Sequence, residues 1–363
     1  MEKRIVLMTA NTQGGIIQFT FQLYHALKAL GHSVKVCLPE QMQNSDINEI
    51  EEQDRLQYHK EKSIFSAKPY KALAKRILET EPDYIWYCDS SVICSQVGLC
   101  LRSHKVQQLL TMHDAGGHHP SNRETLRHKL IRLYSSRVNG KFYRHVYRFV
   151  LLSQESQKMF ALRFPNCAAR IARLDLGAHI PADAEKMPPE MEAQEGKPYL
   201  LFFGRIDKYK GIGNLLRAYR GISQKALPLV IAGSGGLTEE EKSLLQDAQN
   251  VTLINRYIGD GEMKWLFANS AAAVLPYIEA TQSGIIPIAY AYGKPVIVSD
   301  VPGLTQFVEN GETGFVAESI SALSEKMEMM TAIQAENMAG AVKKYYDEHL
   351  NWEQNLQKMF SKL

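Results

Sequence analysis

Short apolar runs alternate with longer amphipathic segments along the whole chain. Runs such as RIVLM, SVKVCLP and YLLFFG are typical of strands buried on both faces. Segments such as Ile16–Leu30 repeat apolar residues at helical spacing instead. Gly31 is placed to end that helix, and Ser153 is placed to begin another. Strands that alternate with helices predict parallel sheets covered by helices on both faces.

This alternation occurs twice, on either side of a polar segment rich in Pro and Glu at residues 181–198. The sequence therefore predicts an α/β protein with one domain at 1–180, a linker at 181–198 and a second domain at 199–344. A length of 363 residues fits two domains of ordinary size.

The composition narrows the class of protein. Hydrophobic residues make up 45% of the chain and charged residues 22%, which is typical of a globular protein. No run approaches the roughly 20 apolar residues that span a bilayer, and MEKRIVLMTA lacks the pattern of a signal peptide. The five cysteines have no metal-ligand spacing, so we expect buried or idle thiols in a reducing cytoplasm.

Charge is distributed unevenly. Residues 1–185 contain 25 basic and 18 acidic side chains, and the remainder contains 17 and 21. Much of the excess lies in Arg123–Phe149, with eight Lys or Arg, one Glu and several aromatic residues. This segment suits peripheral contact with an anionic membrane, and a solvated helix face is the alternative. No nucleic-acid motif accompanies the charge, so we expect no nucleic-acid partner. The predicted membrane-facing residues are Arg127, Lys129, Arg132 and Lys141.

Ligands of open parallel sheets bind outside the carboxyl ends of the strands, so the residues that follow each predicted strand are the candidates. Gly14 and Gly15 follow the first strand, where adjacent glycines let a backbone approach a phosphate. A tight strand-to-helix turn would also require glycine. The G-x-G-x-x-G pattern is absent, so a dinucleotide cofactor is not predicted.

The sequence HDAGGHH follows another strand. His113 at its start is predicted to hydrogen-bond a ligand hydroxyl or carbonyl oxygen. Asp114, His118 and His119 make a metal site conceivable, but their spacing matches no known ligand pattern, and we expect no metal.

Two further strands precede groups suited to a diphosphate. Arg205 and Lys210 follow YLLFFG, five positions apart at the start of a helix, where two fixed cations suit an oligophosphate. The stretch EATQSG follows AAAVLPY and supplies one carboxylate, Glu279, with hydroxyls and amides at a helix start. The diphosphate is therefore predicted to lie between Arg205, Lys210 and the amides of Ser283 and Gly284.

Several longer motifs resemble the retaining glycosyltransferases of family 4. They are LKALGHSVKV, FFGRIDKYKGIGNLL, AGSG, NRYIGDGEMKWLFANSAAAVLPY and AYGKPVIVSDVPGLTQFVENGETGFV. The resemblance covers nearly the whole chain. It implies the GT-B fold of two facing Rossmann-like domains with a central cleft, in which a last helix, about 345–363, joins the first domain.

The resemblance also implies roles for individual residues. Arg205 and Lys210 match the pair that grips the nucleotide diphosphate, and His113 resembles the histidine that contacts the donor sugar. With Glu279, these residues are the predicted catalytic set. The predicted donor-binding residues are Gly14, Gly15, Gly204, Gly233, Arg256, Tyr257, Ile258, Thr281, Gln282, Ser283, Gly284 and Ile285.

One position departs from the family pattern. The family has two Glu residues with seven residues between them, and the second commonly binds the ribose hydroxyls. The second falls here at the apolar Ile288, and the first falls at Ala280, beside Glu279. The ribose contact is therefore in doubt. TQSG also occurs in members that resemble exopolysaccharide enzymes, so we interpret the change as a subfamily variation.

The resemblance implies transfer of a sugar from a nucleotide-diphosphate sugar, UDP above all, to a saccharide or lipid-linked acceptor, with retained anomeric configuration. No cofactor or metal is expected, and envelope polysaccharide synthesis at the inner membrane face is the expected setting. Two alternatives remain. One is a nucleotide-sugar epimerase of the same fold, and the other is a non-catalytic partner of another transferase.

Overall fold

The computed structural model describes residues 2–363 except 13, 43–46, 62–64, 67, 114–125, 179, 181–182 and 224–225, and omits the side chains of residues 126 and 127. Contacts along the chain divide it into two compact units. The first comprises Met1–Asp175 together with Trp352–Leu363, and the second comprises Leu176–Asn351.

The first unit is built on a parallel sheet of seven strands in the order β3-β2-β1-β4-β5-β6-β7. Its strands are β1 Arg4–Met8, β2 Ser33–Pro39, β3 Arg55–Tyr58, β4 Tyr84–Tyr87, β5 Gln107–Thr111, β6 Arg148–Leu151 and β7 Ile171–Arg173. Its helices are α1 Gly15–Ala29, α2 Lys68–Leu78, α3 Val92–Leu101, α4 Leu126–Tyr143, α5 Gln154–Arg163 and α13 Trp352–Phe360.

Continuous apolar runs explain this sheet, because a parallel strand is covered on both faces. All four residues of β4 are buried, and Trp86 is fully buried at its centre. The predicted cap at Ser153 is confirmed, since its side chain accepts a hydrogen bond from the Ser156 amide at the start of α5. Helix α13 packs on α1, where the Phe19 and Trp352 ring centroids are 5.8 Å apart.

The second unit has a parallel sheet of six strands in the order β10-β9-β8-β11-β12-β13. Its strands are β8 Leu200–Phe203, β9 Leu229–Ala232, β10 Val251–Ile254, β11 Ala272–Leu275, β12 Val296–Ser299 and β13 Gly314–Ala317. Its helices are α6 Ile212–Arg220, α7 Glu239–Gln246, α8 Asp260–Asn269, α9 Ile285–Ala291, α10 Pro302–Thr305, α11 Ile320–Met329 and α12 Ala332–His349.

The predicted fold class is confirmed: the protein is α/β, with two Rossmann-like domains built on parallel sheets. Two predicted segments differ in detail. Residues 181–198 include a 3-10 helix at Pro189–Gln194, and Met191 in that helix is fully buried in the core of the second unit. The region predicted as one helix at about 345–363 contains the end of α12 at His349 and, separately, α13.

Candidate active site

In the second unit, the predicted diphosphate residues lie in the loops that follow the two strands where the order of the sheet reverses. Successive strands run outward from β8 to β10 on one side and from β11 to β13 on the other, so β8 and β11 are neighbours. Arg205 and Lys210 follow β8, and residues 276–285 follow β11. The reversal point at the carboxyl ends is where open parallel sheets bind ligands.

Glycines let the loops of this region pack backbone against backbone. Gly211 has φ 71°, and a Cβ atom there would lie 1.9 Å from the Pro276 carbonyl oxygen. Gly233 has φ 147°, and its Cβ would lie 1.8 Å from the Gly204 carbonyl oxygen. Only glycine fits both positions, so the loops after β8, β9 and β11 are held at contact distance.

Lys210 lies in an unusual environment for a cation. Its Nζ is 3.8 Å from the centre of the Tyr277 ring and 5.1 Å from that of Tyr209. Burial, with a contribution from the nearby Arg205 charge, lowers the pKa of Lys210 to about 7. Arg205 itself is exposed. The two cations therefore repel each other, and an anion bound between them would favour the charged form of Lys210.

The start of α9 is connected to the same aromatic residue. The Tyr277 hydroxyl is 3.3 Å from Ser283 Oγ, and the Ile285 amide donates to Ser283 Oγ over 3.2 Å. The Ile285 amide therefore has a partner within the chain. Gly284 lies at the exposed surface, and the side-chain oxygen of Gln282 is buried without a hydrogen-bond partner among the described residues.

The family's two Glu positions are occupied differently here. Ile288 packs against the hydrophobic core of the unit, and Ala280 is half-buried. A Cβ atom at Gly303 would lie 2.1 Å from the Ala280 carbonyl oxygen, so the chain at Ala280 is pressed against α10. Glu279, the neighbouring carboxylate, is exposed.

In the segment after β10, the side chain of Arg256 is paired within the protein. The guanidinium of Arg256 forms paired hydrogen bonds of 2.8–2.9 Å with the carboxylates of both Glu190 and Glu262. The contact of Arg256 with a donor stays a prediction. Ile258 is 8% exposed and belongs to the core, whereas Tyr257 is 77% exposed. A base could meet this segment through its backbone and the Tyr257 ring.

In the first unit, Gly14 and Gly15 lie where α1 begins, directly after β1 and its loop. Gly14 has φ 85°, and the amides of Ile17 and Gln18 donate to its carbonyl oxygen. Apart from the adjacent residues and the backbone of α1 itself, no described atom lies within 4 Å of a Cβ atom built on either glycine. The amino end of this 15-residue helix is thus open at the position predicted for phosphates.

His113 follows β5, and its protonation can be assigned. Its Nε2 is 2.8 Å from the Cys88 carbonyl oxygen, which can only accept, so Nε2 carries a proton and donates. Burial lowers the pKa of His113, and Phe19 packs edge-on against the ring at 4.9 Å. The imidazole is therefore neutral at physiological pH, and Nδ1 is left as an acceptor.

A buried carboxylate beside His113 escaped the sequence analysis. Asp89 is 2% exposed and accepts hydrogen bonds from Thr9 Oγ1 at 2.8 Å, the Ala10 amide at 2.6 Å and the Ser91 amide at 2.8 Å. Burial raises the pKa of Asp89, but these hydrogen bonds outweigh it and hold the pKa below its usual range. Asp89 lies two residues after the end of β4, as His113 does after β5, so the rule that selected His113 would have found it.

Some predicted residues yield little or no geometry. Asp114, His118 and His119 lie outside the described residues, as does the side chain of Arg127. Lys129, Arg132 and Lys141 are exposed on α4, and Thr281 is half-buried. Across the described part of the chain, no group of three or more His, Cys, Asp or Glu could hold a metal ion. None of the described helices is both long and apolar enough to cross a membrane.

Two family models together match most of the chain. Residues 13–177 match the model described as Glycosyltransferase Family 4, and residues 183–346 match Glycosyl transferases group 1. A curated relative, the capsular polysaccharide biosynthesis glycosyltransferase CapM of Staphylococcus aureus, is 31% identical over 36% of this chain and 35% of its own. The match spans about a third of the length of each of the first curated relatives.

Solved structures match over the full length. A sucrose-phosphate synthase from Thermosynechococcus elongatus has a TM-score of 0.74 and 19% identity, covering 99% of this chain and 98% of its own. Anabaena Alr3699/HepE in complex with UDP-glucose has a TM-score of 0.74 and 14% identity, covering 100% of both chains. At these identities the likeness concerns the fold.

Proposed function

The chain belongs to the family 4 and group 1 glycosyltransferases, which have the GT-B fold, and we propose that it transfers a sugar from a UDP-sugar to a saccharide or lipid-linked acceptor. The observation that carries this proposal is the arrangement of Arg205 and Lys210 at the junction of β8 and β11. Lys210 lies on an aromatic ring with its pKa lowered to about 7. A diphosphate would relieve the repulsion between the two cations and would itself be neutralised.

The reaction requires little besides positioning and charge. The bond between the sugar C1 and the diphosphate oxygen breaks, and its electron pair remains on the diphosphate. The acceptor oxygen attacks C1 on the same face, and its proton passes to the departing phosphate, so the anomeric configuration is retained. Arg205 and Lys210 stabilise the negative charge that develops on the leaving diphosphate. In other enzymes a divalent metal ion provides this stabilisation.

His113 is proposed to hold the donor sugar. Its Nε2 proton is engaged with the Cys88 carbonyl, so Nδ1 presents a lone pair. A neutral imidazole in this tautomer accepts a hydrogen bond from a sugar hydroxyl. Asp89 then acts as a positioning residue, because its hydrogen bonds join the loop after β1 to the loop after β4, which contains Cys88.

The nucleotide of the donor and the biosynthetic role are proposed from the similarity to known proteins. The Anabaena structure that matches the whole chain is a complex with UDP-glucose, which favours UDP as the first nucleotide to test. The Staphylococcus aureus relative acts in capsular polysaccharide biosynthesis. We therefore propose envelope polysaccharide synthesis in the cytoplasm, at the inner face of the membrane.

The test is a thermal-shift screen against UDP-, GDP- and ADP-sugars, followed by mass spectrometry for hydrolysis or transfer. We expect UDP-sugars to raise the melting temperature of the wild type, and the Lys210→Ala variant to lose most of that shift. Incubation with UDP-GlcNAc alone tests the epimerase alternative. An epimer formed without any acceptor would identify the protein as an epimerase and would overturn the proposed sugar transfer. Failure of every nucleotide sugar to bind would overturn the proposal.

A further inference from the structure

Lys60 is a cation at the same edge of the first sheet as the candidate site residues, and the functional assignments above do not use it. It lies two residues after β3, and His113 lies two residues after β5. All seven strands are parallel, so their carboxyl ends form one edge. The half-buried Lys60 side chain crosses from β3 to the loop after β1, where its Nζ donates to the Ala10 carbonyl oxygen at 2.8 Å.

The protein holds Lys60 in place on both sides. The Lys60 amide donates to Gln41 Oε1, and Gln41 Nε2 donates to the Lys60 carbonyl, each over 3.3 Å. Next to it, the buried Tyr58 donates from its hydroxyl to the Thr9 carbonyl at 3.1 Å. The end of β3 is therefore fixed to the loop after β1 at two successive carbonyls. A side chain that is ordered in advance loses less entropy when a ligand binds.

Much of the hydrogen-bonding capacity of the Lys60 ammonium is left for a ligand. An ammonium has three N–H donors, and the bond to Ala10 uses one of them. In the described part of the chain, no carboxylate oxygen lies within 4.0 Å of Lys60 Nζ. A positive charge that is held in place and has no adjacent carboxylate attracts an anion.

Two neutral polar side chains follow Ala10 directly in the loop after β1. Asn11 and Thr12 are both half-buried, and neither side chain has a hydrogen-bond partner among the described residues. A carboxamide and a hydroxyl can each donate to and accept from a sugar hydroxyl. The loop after β1 therefore combines one cation with two groups suited to a saccharide.

Hydrogen bonds connect Lys60 to the loop of His113. Asp89 accepts from the Ala10 amide at 2.6 Å, and His113 Nε2 donates to the carbonyl of Cys88, the residue before Asp89, at 2.8 Å. In the order β1-β4-β5, the loops after β1 and β5 are two strand spacings apart, which is about 10 Å. A sugar held by His113 and an anionic group held by Lys60 could therefore belong to two substrates that lie side by side.

We propose that Lys60 binds an anionic group, a phosphate or a carboxylate, on the acceptor saccharide, whose hydroxyls bond to Asn11 and Thr12. The donor diphosphate is assigned above to Arg205 and Lys210 in the second unit, so a cation in the first unit serves the other substrate. Phosphate and carboxylate oxygens accept from an ammonium in the same way. Naming this ligand the acceptor rests on the sugar transfer proposed above.

The test compares how tightly the full chain binds sugars that differ in charge. NMR titrations with glucose, glucose 6-phosphate and glucuronic acid give the ratio of acid affinity to glucose affinity for each protein. Lys60→Met removes the ammonium and retains a long side chain, whereas Lys60→Arg retains the charge. Lys71→Met, at an exposed position on α2, is the matched control. Melting temperatures without ligand check that all variants fold.

We expect the wild type, Lys71→Met and Lys60→Arg to bind at least one acid about tenfold more tightly than glucose, and Lys60→Met to lose this preference. The preferred acid identifies the anionic group as phosphate or carboxylate. If Lys60 only anchors the loop after β1, its removal weakens all three sugars alike and leaves the ratio unchanged. That result, or a wild type that binds neither acid more tightly than glucose, shows that the proposal is wrong.

UDP binding is measured in the same proteins, so that the donor and the acceptor are tested separately. We expect Lys60→Met to bind UDP as the wild type does. A variant that loses UDP binding but retains the preference for an acid would assign Lys60 to the donor and contradict the proposal. Absence of UDP binding in the wild type contradicts the proposed donor, whereas the acid preference alone decides the role of Lys60.

Discussion

At the residue scale, Arg205 and Lys210 are the side chains on which the proposed chemistry most depends. Arg205→Ala or Lys210→Ala should each lower the rate by about 30- to 1000-fold, or about 2–4 kcal/mol of transition-state stabilisation, because each removes a charge-assisted contact to the leaving group. Steady-state rates with the best donor from the screen provide the measurement. The exposed Lys208→Ala, in the same loop, is the matched control and should retain activity. If both alanine variants turn over at close to the wild-type rate, Arg205 and Lys210 do not form the diphosphate site.

The lowered pKa of Lys210 predicts a dependence on pH. Only the protonated ammonium of Lys210 attracts the diphosphate. In the protein without ligand, the pKa of Lys210 is about 7. Donor kcat/KM should therefore fall as the pH rises through about 7, since this ratio reports the free enzyme. In Lys210→Arg the guanidinium stays charged, and the fall should disappear even if the rate is lower. A wild-type profile that stays level to pH 9 would contradict the assignment.

The sequence predicts where an individual residue lies when the residue directly follows a recognisable strand. Arg205 and Lys210 follow one strand, and their position at its carboxyl end was enough to select them. Arg256 shows the limit, because the carboxylate of Glu190 that engages it lies 66 positions earlier in the chain. Nothing local in the sequence encodes that pairing. The same holds for Lys210, whose contact with the Tyr277 ring appears only after β8 and β11 pair.

At the scale of elements, the loops after β8 and β9 depend on one glycine. In Gly233→Ala the new methyl group would meet the Gly204 carbonyl at 1.8 Å, with φ at 147°. We expect the free energy of unfolding to fall by about 2–4 kcal/mol, and donor binding to be lost with the displaced loop. Chemical denaturation measures the first, and the thermal shift with UDP-sugar measures the second.

Gly236 is the matched control for that substitution. It belongs to the same loop, and its φ is not positive. Apart from the adjacent residues, no described atom lies within 4 Å of the point where a Cβ atom would be added. Gly236→Ala should change the free energy of unfolding by less than about 0.5 kcal/mol. Equal effects of the two substitutions would show that the contact with Gly204 does not determine the shape of the loop.

Helix α4 carries the prediction of membrane contact. Each Lys or Arg near an anionic leaflet contributes about 1 kcal/mol, and the attraction is screened beyond roughly 8 Å at physiological salt. The protein should therefore sediment with anionic vesicles at low salt and be released at high salt. Replacing Arg127, Lys129, Arg132 and Lys141 with Gln should weaken this binding while the melting temperature is retained. Wild-type protein that ignores anionic vesicles at low ionic strength would identify α4 as an ordinary solvated helix.

At the scale of the whole molecule, two cations are proposed to replace a divalent metal. Activity should therefore persist in excess EDTA, because the charge on the leaving diphosphate is stabilised by side chains that a chelator does not remove. Initial rates with and without EDTA, with Mg²⁺ and Mn²⁺ added back separately, give the answer. Complete loss with full restoration by one metal would instead assign a metal-binding role to the HDAGGHH sequence.

The order of the chain through the two units has a consequence for biosynthesis. Residues 352–363 pack in the first unit, but they follow the whole of the second unit in the sequence. On the ribosome, the second unit can complete its own core before α13 has been made and can pack on α1 through Trp352 and Phe19. The part of α1 that α13 covers, which includes Phe19, is therefore still exposed when the second unit has folded, and chaperones would meet it there.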